Sequence, residues 1–365
     1  MEENGSRAGR SEEEVLDAIE ERRRRPRRKL LDERITLSHG AGGKSSHDLV
    51  EALFLRELRN PLLEPLTDSA VLTDGARRQA FTTDSFVVRP LFFPGGDIGE
   101  LAVNGTVNDL AMAGARPIAL SAGFIVAEGL AVDDLDRIVT SMGRAAEAAG
   151  VSVATGDTKV VERGKADGLY INTSGVGAIE HDQDLGPDSI RPGDRVIVSG
   201  PIGDHGMAIM VARGELALEV DLESDTAPLN DLVATLLGAT GGVRCLRDPT
   251  RGGVATVLAE LALSGEVGIS IDEASLPIRP EVTGACEILG IDPLYVANEG
   301  KLIAVVAPEA EEDALAALRS HPLGAEAAVI AEVRPDPPGL VLLETSFGGS
   351  RVVDMLAGDP LPRIC

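Results

Sequence analysis

Four aspartates in tight polar settings are the residues of this sequence best suited to chemistry. Asp84 follows a β-rich run in Thr82-Thr83-Asp84-Ser85. Asp109 follows Asn108 in an otherwise apolar helical stretch that also carries Asn104, one turn earlier. Asp157 ends a second β-rich run in Thr155-Gly156-Asp157-Thr158-Lys159, and Asp248 precedes Pro249-Thr250-Arg251-Gly252-Gly253. Carboxylates at strand ends and on buried helices are costly unless paired or bound to metal. Hard oxygens that share a cation with phosphates are what Mg²⁺ prefers. Each aspartate alone reads more readily as a cap or a turn residue. Together, beside glycine-rich turns, they point to a Mg-nucleotide site.

A phosphate cradle is suggested by Ser38-His39-Gly40-Ala41-Gly42-Gly43-Lys44-Ser45. It nearly fits a P-loop, but Ser38 stands where the first glycine belongs, and Ile35–Leu37 is a poor strand to precede one. In weaker form, Gly42 and Gly43 expose backbone N–H groups and Lys44 adds charge, while a plain surface turn remains the alternative. Lysine usage adds a clue. Only five lysines stand against 29 arginines, and Lys44, Lys159 and Lys301 all lie in glycine-bearing motifs. A desolvated lysine can give up its proton where arginine cannot. The five histidines (His39, His47, His181, His205 and His321) form no zinc-binding spacing. There is neither a GxSxG elbow nor a dinucleotide fingerprint, so hydrolase and dehydrogenase readings lack support.

The elements that must position these groups follow from composition and period. The 365 residues are 44% hydrophobic, which is enough for two domains, and seven Phe, two Tyr and no Trp leave aliphatic cores. Short β-rich runs occur at Ala80–Thr83, Val151–Thr155, Leu169–Val176, Arg195–Ser199 and Leu302–Val306. Helical patterns lie between them, the clearest with Leu135, Ile138, Val139, Met142, Ala145, Ala146 and Ala149 on one face. The alternation indicates an α/β or α+β architecture. Asp182–Asp194 reads as a linker between a domain at 35–185 and another at 191–343. Residues 344–365 form a tail whose end, from Gly358 to Cys365, is expected to be exposed.

Residues 1–34 hold ten acidic and ten basic side chains, seven of the latter in Arg22–Lys29. They read as a disordered arm or a frayed helix broken at Pro26, or else as a docking arm for an acidic partner. A net charge of −25 argues against nucleic acid. Leu101–Val132, the most apolar stretch, is interrupted by polar residues, and the first 34 residues lack an apolar segment, so neither a membrane span nor a signal peptide is expected. Cys245, Cys286 and Cys365 are too few for a disulfide scaffold, and the first two sit in apolar contexts as inert core residues. A cytoplasmic address follows.

These motifs converge on one family. HGAGGK, FTTDS, PLFFPGGDIG, NGTVNDLAMAGA, TGDTKVV, GDHG, RDPTRGG, NEGKL, SHPLG and the terminal PRIC cover Ile35 to Cys365. With them the chain resembles the HypE family of hydrogenase maturation factors. That family is related to aminoimidazole ribonucleotide synthetase, thiamine-monophosphate kinase and selenophosphate synthetase. The arm lies outside the pattern. The resemblance implies a two-domain synthetase-like fold whose N-terminal domains build a β-barrel across a homodimer, with ATP near that interface. It implies that a carbamoyltransferase, HypF, carbamoylates Cys365, that ATP drives dehydration of the thiocarboxamide to a thiocyanate, and that the cyano group passes to iron on a HypC–HypD complex. It further implies that Gly42, Gly43, Lys44, Asp84, Asn104, Asp157 and Thr158 bind the nucleotide, and that Asp84, Asp109 and Asp248 hold Mg²⁺. Asp109, Lys159 and Glu299 match positions serving dehydration, with Lys159 or Glu299 as proton acceptor. Eight tail residues can span about 26 Å, and Pro360 and Pro362 stiffen them. The terminal carboxylate is expected to raise the Cys365 thiol's pKa, with Arg363 offsetting part of this. Two rival readings remain open: another ATP-dependent kinase or synthetase of the superfamily, and a non-catalytic nucleotide-binding scaffold of the maturation complex.

Overall fold

The structure, a computed structural model, describes residues 32–214, 221–358, 361 and 363–365. The arm through Leu31, including Arg22–Lys29 and Pro26, lies outside the described residues, as do Pro360 and Pro362.

The first half forms β1 (Ala70–Asp74), β2 (Arg77–Phe86), the short pair β3 (Phe92–Phe93) and β4 (Gly96–Asp97), β5 (Ala115–Ala127), β6 (Ser152–Val161) and β7 (Leu169–Ile179). Five of them make a sheet ordered β1-β2-β7-β5-β6, in which only β5 and β6 run parallel. Along β7 every second residue is buried, the period a strand needs to cover a core on one face. Helix Ile98–Met112 forms part of the core on that side and is buried nearly all round. Asp97 caps it, accepting from Gly99 N at 2.7 Å and Glu100 N at 3.1 Å. The second layer is helix Val132–Ala148, which buries Ile138, Met142, Ala145 and Ala146. Val139, expected on that stripe, is 48% exposed, because the contact with one neighbouring helix is narrower than the apolar run.

The second half forms β8 (Arg195–Val198), β9 (Val243–Arg247), β10 (Gly268–Asp272), β11 (Ile303–Val306), β12 (Ala328–Arg334), β13 (Val341–Glu344) and β14 (Ser350–Val353), ordered β14-β13-β10-β12-β8-β11-β9. Its central strands are buried on both faces. Ile303 and Val305 point into one core, and Ala304 and Val306 into another. Asp182–Asp194 connects the two sheets and holds only the short turn Pro187–Ser189.

Three local expectations change. Asp84 and Asp157 sit inside β2 and β6 rather than after them, since Asp84 pairs with Thr173 and Asp157 with Gly123. Long neighbouring strands extend the ladder past residues of low strand propensity. The tail is not wholly exposed either: Gly358 and Arg363 face solvent, but Leu361 and Ile364 are each 5% exposed and belong to the core of the first half. Among the described residues, no helix is long and apolar enough to cross a membrane.

Candidate functional site around the terminal cysteine

Four separate parts of the chain bring carboxylates to one place. β2 carries Asp84, helix Ile98–Met112 carries Asp109, the turn after β9 carries Asp248, and the segment before β1 adds Asp68. Thr82 Oγ1 donates to Asp109 Oδ2 at 2.7 Å, and Ser85 N to Asp84 Oδ1 at 2.8 Å. Asp68 pairs with Arg247 Nε at 2.9 Å, whose Nη2 reaches Glu260 at 3.0 Å. Burial pushes the Asp109 carboxyl well above the usual range, and Asp248, Asp84 and Asp68 push it further. Burial and then Asp68 lift Asp248 to about 8. Burial also raises Asp84, against the pull of Arg251. Such a donor set suits a hard cation. No three acidic, His or Cys side chains among the described residues converge tightly enough to hold one unaided, so phosphate oxygens would have to complete the shell.

Glu299 lies against this cluster, 3% exposed, with Oε1 unpartnered among the described residues. Its backbone is fixed at both ends. Asn108 Nδ2 donates to its carbonyl at 3.1 Å, and its N–H donates to Asp225 Oδ1 at 2.9 Å. Asp225 in turn is paired with Lys301 Nζ at 3.1 Å. The next residue, Gly300, packs on the Asp225 carbonyl, where an added Cβ would come within 1.7 Å. Burial, Asp248, Asp84 and Asp225 raise the Glu299 carboxyl well above its ordinary range, partly opposed by Arg251.

The tail ends at this carboxyl. Burial drives the Cys365 thiol's pKa up, and the neighbouring Glu299 carboxyl raises it further. The opposing charge is Arg251, not Arg363 as expected, because Arg363 is turned to Asp167. Arg251 Nη1 donates to Gly40 O at 2.7 Å, which ties the glycine turn to the same place. A cavity of about 220 Å³ beside the thiol is lined by Gly40, Ser85, Arg251, Tyr295, Leu356 and Cys365.

The glycine turn is not a P-loop. A 3₁₀ turn, Leu37–Gly40, precedes it, and helix Lys44–Leu49 follows. Gly42 (φ +74°) faces Arg251, and Gly43 packs on the Leu356 carbonyl, which accepts from Lys44 N at 2.9 Å. Asn104 turns away from the carboxylates, its Nδ2 donating to Thr226 Oγ1 at 3.2 Å. Asp157, Thr158 and Lys159 lie apart. Asp84, Thr173, Ala122 and Gly156 pair in a row across four strands, so about 14 Å separates Asp84 from β6. There Lys159 Nζ bonds Asp157 Oδ2 at 2.7 Å, both side chains about 70% exposed. Within one chain, Lys159 does not share the site of Cys365. Asp68 and Arg251 escaped sequence reasoning. Arg251 had a signal, being inside the Asp248–Gly253 motif, whereas Asp68 had none.

The family described as AIR synthase related protein matches twice, its N-terminal domain over residues 66–179 and its C-terminal domain over 191–342. The carbamoyl dehydratase HypE of Rhizobium leguminosarum bv. viciae is 54% identical over 333 residues, 91% of this chain and 95% of that one. This chain belongs to the HypE family. A HypE crystal structure in complex with ATP superposes with a TM-score of 0.77 at 48% identity, covering 91% of this chain and all of the other. HypE in a HypE–HypF complex gives 0.81 at 48% identity, covering 84% and 99%.

For this HypE-family chain the carboxylate cluster sets a pH dependence. Asp248 holds its proton in the fold up to about pH 8, but in the unfolded chain only to about pH 4. Stability from this group is therefore full below about pH 4 and lost as pH rises through 8. Without nucleotide, Asp248→Asn is expected to melt above the wild type at pH 8, with the gap closing towards pH 4. Equal melting temperatures at pH 8 would contradict the assigned burial.

Proposed function

We propose that the chain dehydrates a carbamoyl group carried on its own Cys365, using ATP, and so supplies cyanide ligands for the iron of [NiFe]-hydrogenase. One observation carries this reading: the Cys365 thiol lies beside a buried carboxyl, Glu299, an arginine and a carboxylate cluster. The reaction turns the thiocarboxamide S–C(=O)–NH₂ into S–C≡N, the oxygen leaving in phosphate and both N–H protons leaving to bases. Mg-ATP, when bound, would supply the phosphoryl group that makes the amide oxygen a leaving group.

The chain's own residues do the rest. Asp84, Asp109 and Asp248, with Asp68 alongside, would hold Mg²⁺, and the Gly42-Gly43-Lys44 turn and Arg251 would face the phosphates. Glu299 would accept an N–H proton, and the burial and neighbouring carboxylates that raise its pKa make its carboxylate a stronger base. Lys159 would serve only across a subunit interface. The exposed apolar side chains Phe81 and Ile125, on the outer face of the first sheet, fit a barrel shared in a homodimer, and β6 lies at that sheet's edge. A HypF-type carbamoyltransferase would draw Cys365 out, and a HypC–HypD-type acceptor would take the cyano group. The three thiols are free, in keeping with a cytoplasmic setting.

Intact-protein mass spectrometry after incubation with HypF, carbamoyl phosphate and ATP tests the reading. The expected product carries one cyano group in place of one hydrogen on Cys365. Accumulation of the carbamoyl adduct alone, with ATP bound but unspent, would favour a scaffold instead.

A further inference from the structure

His205 is completely buried at the start of helix Asp204–Ala212, and it touches the tail rather than the carboxylates. Its Nε2 lies 2.6 Å from the carbonyl oxygen of Ile364, the residue before the terminal cysteine. Its Nδ1 lies 2.8 Å from Ser224 Oγ. A carbonyl can only accept, so Nε2 carries the proton and Nδ1 must accept from Ser224. The chain of donors is consistent: Thr226 N donates to Ser224 Oγ at 3.1 Å, which leaves the Ser224 hydroxyl proton for His205. Phe93 stands edge-on to the ring, with centroids 5.7 Å apart. Ser224 and Phe93 thus set the tautomer and orientation of the ring independently of the tail's own contacts.

The tail needs such a hold. Arg363 has φ +57°, a left-handed conformation that is strained for a residue with a side chain, and such strain persists only where surrounding contacts over-determine it. Arg89 N at 3.2 Å and Arg213 Nη2 at 2.5 Å donate to the Arg363 carbonyl. Val87 N donates to the backbone oxygen of Cys365 at 3.1 Å. The Ile364 carbonyl lies between these two anchors, and His205 is the side chain that holds it.

We infer that His205 is a positioning residue for the terminal cysteine: its Nε2–H fixes the Ile364 carbonyl, and this sets the position of Cys365 beside Glu299. The catalytic consequence rests on the dehydratase reading. The effect on the thiol does not.

The test is alkylation of the full-length chain by iodoacetamide, with the three cysteines followed separately by peptide mass spectrometry. In His205→Ala, Cys365 is expected to label about tenfold faster than in wild type, the scale of one lost hydrogen bond, while buried Cys245 and Cys286 stay unlabelled. His205→Gln places an amide N–H near the lost Nε2–H and should restore slow labelling. Single-turnover dehydration of carbamoylated protein should slow in the alanine variant and recover with glutamine. Wild-type labelling in His205→Ala overturns the inference. So does joint labelling of all three cysteines in both variants, which would mean a loosened core. If labelling responds as expected but the wild type itself forms no cyano product, His205 keeps its positioning role and the dehydratase reading fails.

Discussion

Cys365→Ala is expected to abolish the cyano product while leaving Mg-nucleotide affinity unchanged. The other cysteines cannot substitute. Cys245 and Cys286 are 2% and 1% exposed, and burial lifts their thiols to about 12 and about 11. Thiolate, not thiol, is the nucleophile that must take up a carbamoyl group. Cys365 is also held high while docked, but its suppression comes mainly from burial and disappears once the tail leaves. Carbamoylation then belongs to the undocked state and dehydration to the docked one. Nucleotide affinity should survive because the aspartate cluster is built from β2, helix Ile98–Met112 and the Asp248 turn, none of which needs the tail to fold. Intact mass and calorimetry read the two halves separately. Cyano product from the alanine variant would remove Cys365 as the carrier, and a large loss of affinity would make the tail part of the nucleotide site.

What the sequence made legible was local chemistry, and what it hid was register and edge. The five β-rich runs each fall on a strand, because β-branched runs bounded by turns carry their own signal. The missing strand before the glycine turn was equally readable, and a 3₁₀ turn stands there. Asp84 and Asp157 look alike in sequence, each in a polar motif at the end of an apolar run. They part because β2 is an interior strand facing helix Ile98–Met112, whereas β6 is the sheet's edge, and strand order is a non-local property. Lys159 follows Asp157 to that edge for the same reason. Asp68 could not be seen at all, since its partner Arg247 is 179 residues away in sequence. The tail was misread because Leu361 and Ile364 are too few and too close to the terminus to show a period, and only the packed structure reveals the hole they fill.

Glu299→Gln is expected to stop the reaction halfway, with carbamoylated Cys365 accumulating on a folded, nucleotide-binding protein. The substitution keeps the shape of the side chain and the backbone bonds from Asn108 and to Asp225, which hold residue 299 through its main chain. It removes only the capacity to take a proton. Loss of a general base typically costs about 10²–10⁴-fold in rate, a delay that mass spectrometry resolves easily. Stability should rise rather than fall at neutral pH, because a carboxyl crowded by Asp248, Asp84 and Asp225 is replaced by a neutral amide. A slow but more heat-resistant variant therefore separates a lost base from a damaged fold. Lys159 supplies the contrast. Its amine is exposed and held by Asp157 on the edge strand, so Lys159→Arg, which keeps the charge but cannot give up a proton, tests whether a partner subunit's lysine shares the work. If Glu299→Gln dehydrates at the wild-type rate while Lys159→Arg does not, the base is the lysine, and the site is completed across the dimer.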